Sequence, residues 1–282
     1  MMEYGSYEII RNDRCEAKVH VDPYNSRVRL LECSGDAEGF VERLKQICTE
    51  RGFGKIICMV YERDLEGFIS KGFQEEGKID GFFKGETAYC MTSFPDIKRS
   101  KSDYLLEEDK IISYCSGYKS RSIFVGEPGL KLRTAEKADA ENISELFRCV
   151  FNVYPTPMDQ PDYVKKMMDE DVLFKVLESD EAVVSVASAD MNRKFLHAEI
   201  TDCATHMDFR GRGLMSELIF YLEQDLRSMG FMTVFSLARA RSFGINVVLS
   251  KHGFEYSGRH INNCRIMDGF EDMNIWAKRL LP

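Results

Sequence analysis

Between residues 209 and 215 the chain reads Phe-Arg-Gly-Arg-Gly-Leu-Met, directly ahead of an amphipathic run. Glycines there let backbone N–H groups turn inward. A helix start adds unpaired donors and about half a unit of positive charge. Together they can cradle a pyrophosphate, with Arg210 and Arg212 adding formal charge. The spacing is neither GxxxxGK[ST] nor the three-glycine GxGxxG, and an ordinary helix-capping loop would read the same way in isolation. Upstream lie two carboxylates, Glu199 and Asp202, either of which could take a proton from a reacting group. Three residues apart, they face opposite sides of a regular strand unless a bulge intervenes. Cys203 is chemically able to attack an acyl group. No base adjoins it except those carboxylates, so it reads as a small packed thiol.

These groups need a strand, a turn and a helix to hold them. Positions 195–205 predict a strand. Positions 213–229 predict a helix with Leu214, Leu218, Leu222 and Leu226 on one stripe, stopped at Gly230. Around this pair the chain predicts a strand at 130–133 and a helix with Ile143, Leu146, Phe147 and Val150 at helical spacing. A proline-rich break at 155–161, a short helix at 162–170 and strands at 172–177 and 182–189 follow. The remainder predicts a strand at 233–238, a helix at 242–252 and strands at 254–264 and 272–279. The order is that of a mixed α/β layer fold. The polar run 95–103, a helix at 104–118 and the Gly126, Pro128, Gly129 punctuation mark a connector over 96–129. It separates an N-terminal α/β domain at 1–95 from a domain at 130–282. The first domain predicts a helix at 37–51, a strand at 54–61 and a helix at 64–71. Its KGFQEEG (71–77) echoes HGFEYSG (252–258), and two strand-like runs follow each, as in a degenerate duplicate.

The 282 residues carry 38 Lys+Arg against 46 Asp+Glu, a net charge of -8. Without a basic block, a nucleic-acid partner is not expected. No run approaches the roughly 18–20 apolar residues of a membrane span, and residues 1–14 hold no apolar signal core. Nine cysteines without a CxxC pair read as reduced thiols of a cytoplasmic protein. The five histidines are scattered, and no metal site is read.

Arg210, Gly213 and Met215 occupy the three positions of an Arg-x-x-Gly-x-Gly/Ala turn, and in this the chain resembles the GCN5-related N-acetyltransferase superfamily. LRTAEKADA (132–140) and SKHGF (250–254) extend the likeness over about 130–282. The resemblance implies that fold, a mixed sheet flanked by helices, preceded here by the smaller α/β domain. It also implies acetyl-CoA as co-substrate. Its site would run from Cys203, Ala204 and Thr205 through Arg210, Gly211, Arg212, Gly213, Leu214 and Met215 to Ser242 and Asn246. Met215 replaces a small residue, so its side chain should point away from the cofactor. Leu249 stands where many members carry a leaving-group tyrosine, so that general acid is absent. The thiolate then leaves unassisted, or Ser242, Asn246 or a tyrosine elsewhere helps.

YPTP (154–157), TDCATH (201–206), SLARA (236–240), GRHINNC (258–264) and FEDMNIW (270–276) narrow the resemblance to the β-lysine N-acetyltransferases. That family acetylates the ε-amine of β-lysine, a product of lysine 2,3-aminomutase, to give a zwitterionic osmolyte. A lysine-like amine, with pKa about 10.4, is neutral in roughly one molecule in 2,500 at pH 7, a deficit of about 4.6 kcal/mol. Glu199, set as in some superfamily bases, is the expected base. Asp202 would assist or bind a substrate ammonium. Tyr154, Asn262, Asn263, Glu271 and Asp272 are the remaining expected substrate contacts, with Arg259 and Arg265 as carboxylate partners. Acetyl transfer to a polyamine or another diamino acid, or non-catalytic acetyl-CoA sensing, remains open on the sequence, as does a homodimer.

Overall fold

The computed structural model describes residues 5–12, 15–117, 127–267 and 269–280. Tyr118 and Gly126, expected near the ends of the connector's helix and punctuation, lie outside them. The chain opens with β1 (Ser6–Arg11), β2 (Glu16–Asp22) and β3 (Arg27–Ser34), for which the sequence reading made no assignment. Their signal is alternation: Ala17, Val19 and Val21 of β2 are buried between more exposed neighbours. Next come α1 (Val41–Arg51), β4 (Lys55–Val60), α2 (Leu65–Ser70), β5 (Gln74–Phe83) and β6 (Glu86–Ser93), then α3 (Leu105–Cys115). The remainder is β7 (Lys131–Thr134), α4 (Ala140–Val150), α5 (Pro161–Asp169), β8 (Val172–Ser179), β9 (Ala182–Asn192), β10 (His197–Thr205), α6 (Leu214–Ser228), β11 (Thr233–Arg239), α7 (Phe243–Lys251), β12 (Glu255–Ile266) and β13 (Gly269–Arg279).

All thirteen strands form one mixed sheet, ordered β1-β2-β3-β4-β6-β5-β12-β13-β11-β10-β9-β8-β7. The succession β1-β2-β3-α1-β4-α2-β5-β6 repeats as β8-β9-β10-α6-β11-α7-β12-β13, with β7, α4 and α5 added to the second copy. In each copy, among the described residues, the one parallel pair is that which its long helix connects, β3 with β4 and β10 with β11. On α6, Leu214, Leu218, Leu222 and Leu226 are buried in a core shared with Ala198, Ile200 and Val234. Each such leucine contributes about 1.5–3 kcal/mol relative to exposure. A separate core under α1 holds Leu44, Ile47, Val28 and Ile56. Among the described residues no helix is long and apolar enough to cross a membrane.

The two copies meet where β5 pairs with β12 at a single position, Gly77 opposite Gly258. These are the glycines of the sequence echo. A Cβ at Gly258 would lie 2.2 Å from the Glu76 carbonyl oxygen, and one at Gly77 would lie 2.6 Å from that of Ser257. Gly77 and Gly258 have positive φ, 154° and 148° respectively. Beside them the buried Glu76 carboxylate accepts from Lys55 Nζ (3.1 Å), Thr92 (2.6 Å), the His260 ring (2.7 Å) and the Ile261 amide (2.8 Å). Residues 261–263 bulge out of β12 opposite Asp272, and Arg27 of the first copy and Arg99 of the connector grip the carbonyl oxygens of Asn263 and Asn262.

Gly258→Ala therefore costs roughly 2–4 kcal/mol and lowers the thermal midpoint by roughly 5–10 °C. Gly244→Ala, which meets nothing within 4 Å, serves as a neutral control. Equal melting of Gly258→Ala and the wild type by calorimetry would show that the backbones do not need this close approach.

Candidate active site

β10 departs from regular strand geometry twice. Thr201 opposes Ser188 and Ala204 opposes Val186, so Asp202 and Cys203 together stand against Ala187 alone. Asp202 takes φ 46° in this bulge. The bulge turns Asp202 into the same cavity that Glu199 lines, which resolves the three-residue spacing. Secondly, β10 pairs with β11 only from His197↔Thr233 to Glu199↔Phe235. Past Glu199 the strands part, and Thr201–Thr205 and Ser236–Arg239 form two sides of a wedge. The cavity, about 1270 Å3, runs from this wedge to the glycine turn at one end and to β1–β4 of the first copy at the other.

In the turn itself Gly211 and Gly213 take φ 77° and 82°, and Gly213 caps the 15-residue α6. A Cβ on either would meet nothing within 4 Å, so the space above them is open. Arg210 lines the cavity and donates Nε to the Thr205 carbonyl oxygen at 3.2 Å. Cys203, Ala204, Thr205, Leu214, Met215 and Ser242 also line it. Met215 touches both the core and the cavity, so it does not turn fully away as the family pattern implied.

Several expected site residues lie elsewhere. Arg212 is drawn to Glu127 (3.1 Å) and the Asp208 carbonyl oxygen, away from the cavity. Asn246 is fully buried and spends its amide on Arg239, Ser242, Asn274 and Trp276. Asn262 binds the Arg99 and Lys101 carbonyl oxygens, so it fastens the connector. Asn263 does line the cavity, but its oxygens accept from Arg27. Glu271 forms a two-pronged pair with Arg239 (2.7 and 2.6 Å). Asp272 accepts from the Asn262 amide and lies against Glu108 of α3, whose carboxyl is pushed up to about 8 by burial and by Asp272. Arg259 is buried against Asn274, Glu108 and Asp109, and Arg265 lies over Phe270. Side-chain reach decided these cases, and spacing does not encode it.

What converges on the cavity is a set of carboxylates and tyrosines. Glu199 makes no hydrogen bond or ion pair among the described residues. Burial pushes its carboxyl up to about 7; Arg29 opposes this, while Asp190, directly across in β9, and Asp202 reinforce it. Asp202 is raised to about 6, by burial and the Asp190 charge, against hydrogen bonds from Ser188 (3.0 Å) and the Tyr154 hydroxyl. Burial and the Asp202 charge hold Tyr154 well above its ordinary value. Cys203 donates to the Thr201 carbonyl oxygen, and burial and Asp202 push its thiol up to about 12, which leaves it unreactive. Leu249 is fully buried in the core. Sequence reasoning missed Asp190, Tyr163, His20 and Arg29, which also line the cavity. For the last two the only local signal was strand alternation in a segment left unassigned. All nine cysteines are free, and no metal-binding cluster occurs among the described residues.

The chain matches the family model described as "Acetyltransferase (GNAT) family" over residues 140–254. It is 35% identical over 271 residues to the N-acetyltransferase YodP of Bacillus subtilis, covering 96% of this chain and 98% of that protein. It is 34% identical to the Beta-lysine N(6)-acetyltransferase of Methanosarcina mazei, covering 89% of this chain and 100% of that protein. Among solved structures it is similar to the ribosomal-protein-S18-alanine N-acetyltransferase of Escherichia coli. That likeness has 18% identity and a TM-score of 0.48, and covers 54% of this chain and 95% of the other.

Glu199 binds its proton more tightly in the fold (about 7) than in the unfolded chain (4.5). Its ionisation therefore lowers stability as pH rises through that interval, with the full penalty above about 7. Glu199→Gln should melt with the wild type at pH 4 and above it at pH 8. Coincident or reversed midpoints at pH 8 would show that the fold does not hold this carboxyl protonated.

Proposed function

The chain belongs to the GNAT acetyltransferase family and is an N-acetyltransferase, and from that premise we propose that it moves an acetyl group from acetyl-CoA to the ε-amine of β-lysine in a direct-attack ternary complex. The observation that carries the reading is the continuity of one cavity from the glycine turn, along the β10/β11 wedge, to Glu199 and Asp202. The substrate assignment is supported by the named activity of the Methanosarcina relative over its whole length. Nine free thiols suit a reducing compartment.

The residues fit the co-substrate. Open space over Gly211 and Gly213, the N-terminus of α6 and the Arg210 charge suit a pyrophosphate. The wedge offers unpaired strand edges to an extended amide-bearing arm. Once bound, acetyl-CoA supplies a thioester whose C–S bond breaks as the C–N bond to the amine forms. Glu199 takes the proton that the ammonium must lose. A carboxylate poised at about 7 is half ionised near neutral pH and is still basic enough to accept it. Asp202, fixed by Ser188 and Tyr154, steadies the positive charge of the amine before transfer. Burial of Leu249 leaves no phenol on α7, and Ser242 is the hydroxyl at that helix's start that lines the cavity. A thiolate, with pKa near 8–9 by analogy with cysteine, can depart without an acid.

Mass spectrometry of β-lysine incubated with the protein and acetyl-CoA should show one added acetyl group, on the distal nitrogen. No product between pH 7 and 9 would sink the assignment. Gly213→Asp should abolish acetyl-CoA binding by calorimetry, because its carboxylate meets the pyrophosphate; undiminished affinity would remove the turn from the site. Glu199→Gln should lower kcat/KM by roughly 10²–10⁴-fold. It should also erase the rise in rate centred near pH 7, leaving activity that climbs toward the amine's own pKa, with acetyl-CoA affinity kept. Wild-type turnover at pH 7 would exclude Glu199 as base.

A further inference from the structure

The repeated topology sets the two copies in register. On β10, Glu199 stands beside Phe235 of the parallel neighbour and Asp190 of the antiparallel one. On β3, Arg29 stands beside Ile57 of the parallel neighbour and His20 of the antiparallel one. Each is the third residue of its parallel ladder. Arg29 therefore occupies in the first copy the position that Glu199 holds in the second, and His20 that of Asp190. At the first pair the charge is inverted, Arg29 for Glu199, while burial and Arg29 pull His20 down to about 4 and leave it neutral where Asp190 carries a carboxyl; all four side chains line the same cavity. The first copy has also lost the phosphate turn: the segment after β3 carries Asp36 and Glu38 at its helical start, with no arginine among 35–40. A cation kept in such a copy serves something other than the pyrophosphate.

Arg29 is half-buried, and among the described residues it makes no hydrogen bond, ion pair or ring contact. Other arginines of the cavity differ. Arg27, on the same strand, is tied to Asp22 (2.9 Å) and Asn263 (3.0 Å), and Arg239, on β11, to Glu271. A half-buried guanidinium facing a cavity with no hydrogen-bond partner among the described residues is free to take an anionic ligand. Its charge reaches both carboxylates of β9 and β10: after burial, it is the largest influence on Asp190 and on Glu199, and it draws both downward.

We propose that Arg29 anchors the carboxylate of the amine substrate and, with Asp190 for the neighbouring ammonium, forms a subsite selecting an amino acid over a plain diamine or polyamine. The proposal rests on the reading of the substrate as a diamino acid. A planar guanidinium matches a carboxylate two-prongedly. The ammonium and carboxylate of a β-amino acid, two carbons apart, meet an anion on β9 and a cation on β3, both lining the one cavity, leaving the distal amine for Glu199. A polyamine would instead set a cation or a bare methylene against Arg29, which disfavours it.

The test compares kcat and KM of wild type, Arg29→Gln and Arg29→Lys on three amines: β-lysine, its carboxamide, and pentane-1,4-diamine, which keeps both amines without the carboxylate. The wild type should favour β-lysine over the carboxamide. Arg29→Gln should raise KM for β-lysine roughly 10- to 150-fold, with a smaller change in kcat and KM for acetyl-CoA kept. It should bring acid and amide within a few-fold of each other, and Arg29→Lys should recover part of the preference. An Arg29→Gln enzyme that keeps the acid-over-amide ratio, or loses rate equally on all three amines, overturns the subsite. So does a wild type that takes the carboxamide or the diamine as readily as β-lysine, and acetyl transfer then still stands. A wild type that ignores β-lysine but acetylates another amino acid overturns the substrate assignment alone, and the acid-to-amide ratio on that amino acid decides Arg29. Activity on diamines only overturns both.

Discussion

The approach of Gly77 to Gly258 is the contact on which the rest of the molecule depends. At that point two main chains pass closer than any Cβ allows, and a single ladder pair joins six strands to seven. The cavity has walls from both groups of strands, which this joint and the apolar cluster of Ile79, Phe82 and Phe83 with Phe235 and Ile275 hold side by side. Around it the protein buries a Lys55–Glu76–His260 cluster. Taking the Lys55 and Glu76 charges from water is expensive, and four donors to Glu76 offset that cost. Burial opposes its ionisation, yet Lys55 and the hydrogen bonds hold its carboxyl down to about 2. Burial holds the His260 imidazole below its ordinary value, and losing Lys55 would leave the Glu76 charge buried without its countercharge.

The site arises from two failures of ideal sheet geometry on one strand. A regular β10 would turn Asp202 away from Glu199, and a full β10–β11 ladder would close the wedge. The bulge holds Asp202 at φ 46°, a conformation that costs of order 1–3 kcal/mol in a non-glycine residue. Hydrogen bonds from Ser188 and Tyr154 help to hold the side chain there. Glu199 is destabilised differently, by burial beside two like charges with no hydrogen bond of its own among the described residues. Its readiness to accept a proton near neutrality and its cost to the fold have the same origin, the usual opposition between activity and stability.

The sequence alone determined the glycine turn, the strand and helix on either side of it, the α6 stripe and the presence of two carboxylates. Each is a local property, set by residue type and a period of two or 3.6 residues. The GFxxxG echo was legible too, because a glycine forced by close approach leaves a mark in the chain. Only the tertiary structure decided which polar groups meet. Asn246, Asn262, Glu271 and Asp272 have the right chemistry on nearby elements, but their partners, Trp276, Arg99, Arg239 and Glu108, arrive from other parts of the fold and occupy them. Arg29 lies 170 positions from Glu199 in the chain, and no local pattern links the two. They share a cavity because the sheet's second copy packs beside its first at the paired glycines and the cluster around Phe82 and Phe235, and that long-range geometry has no period that a one-dimensional reading can detect.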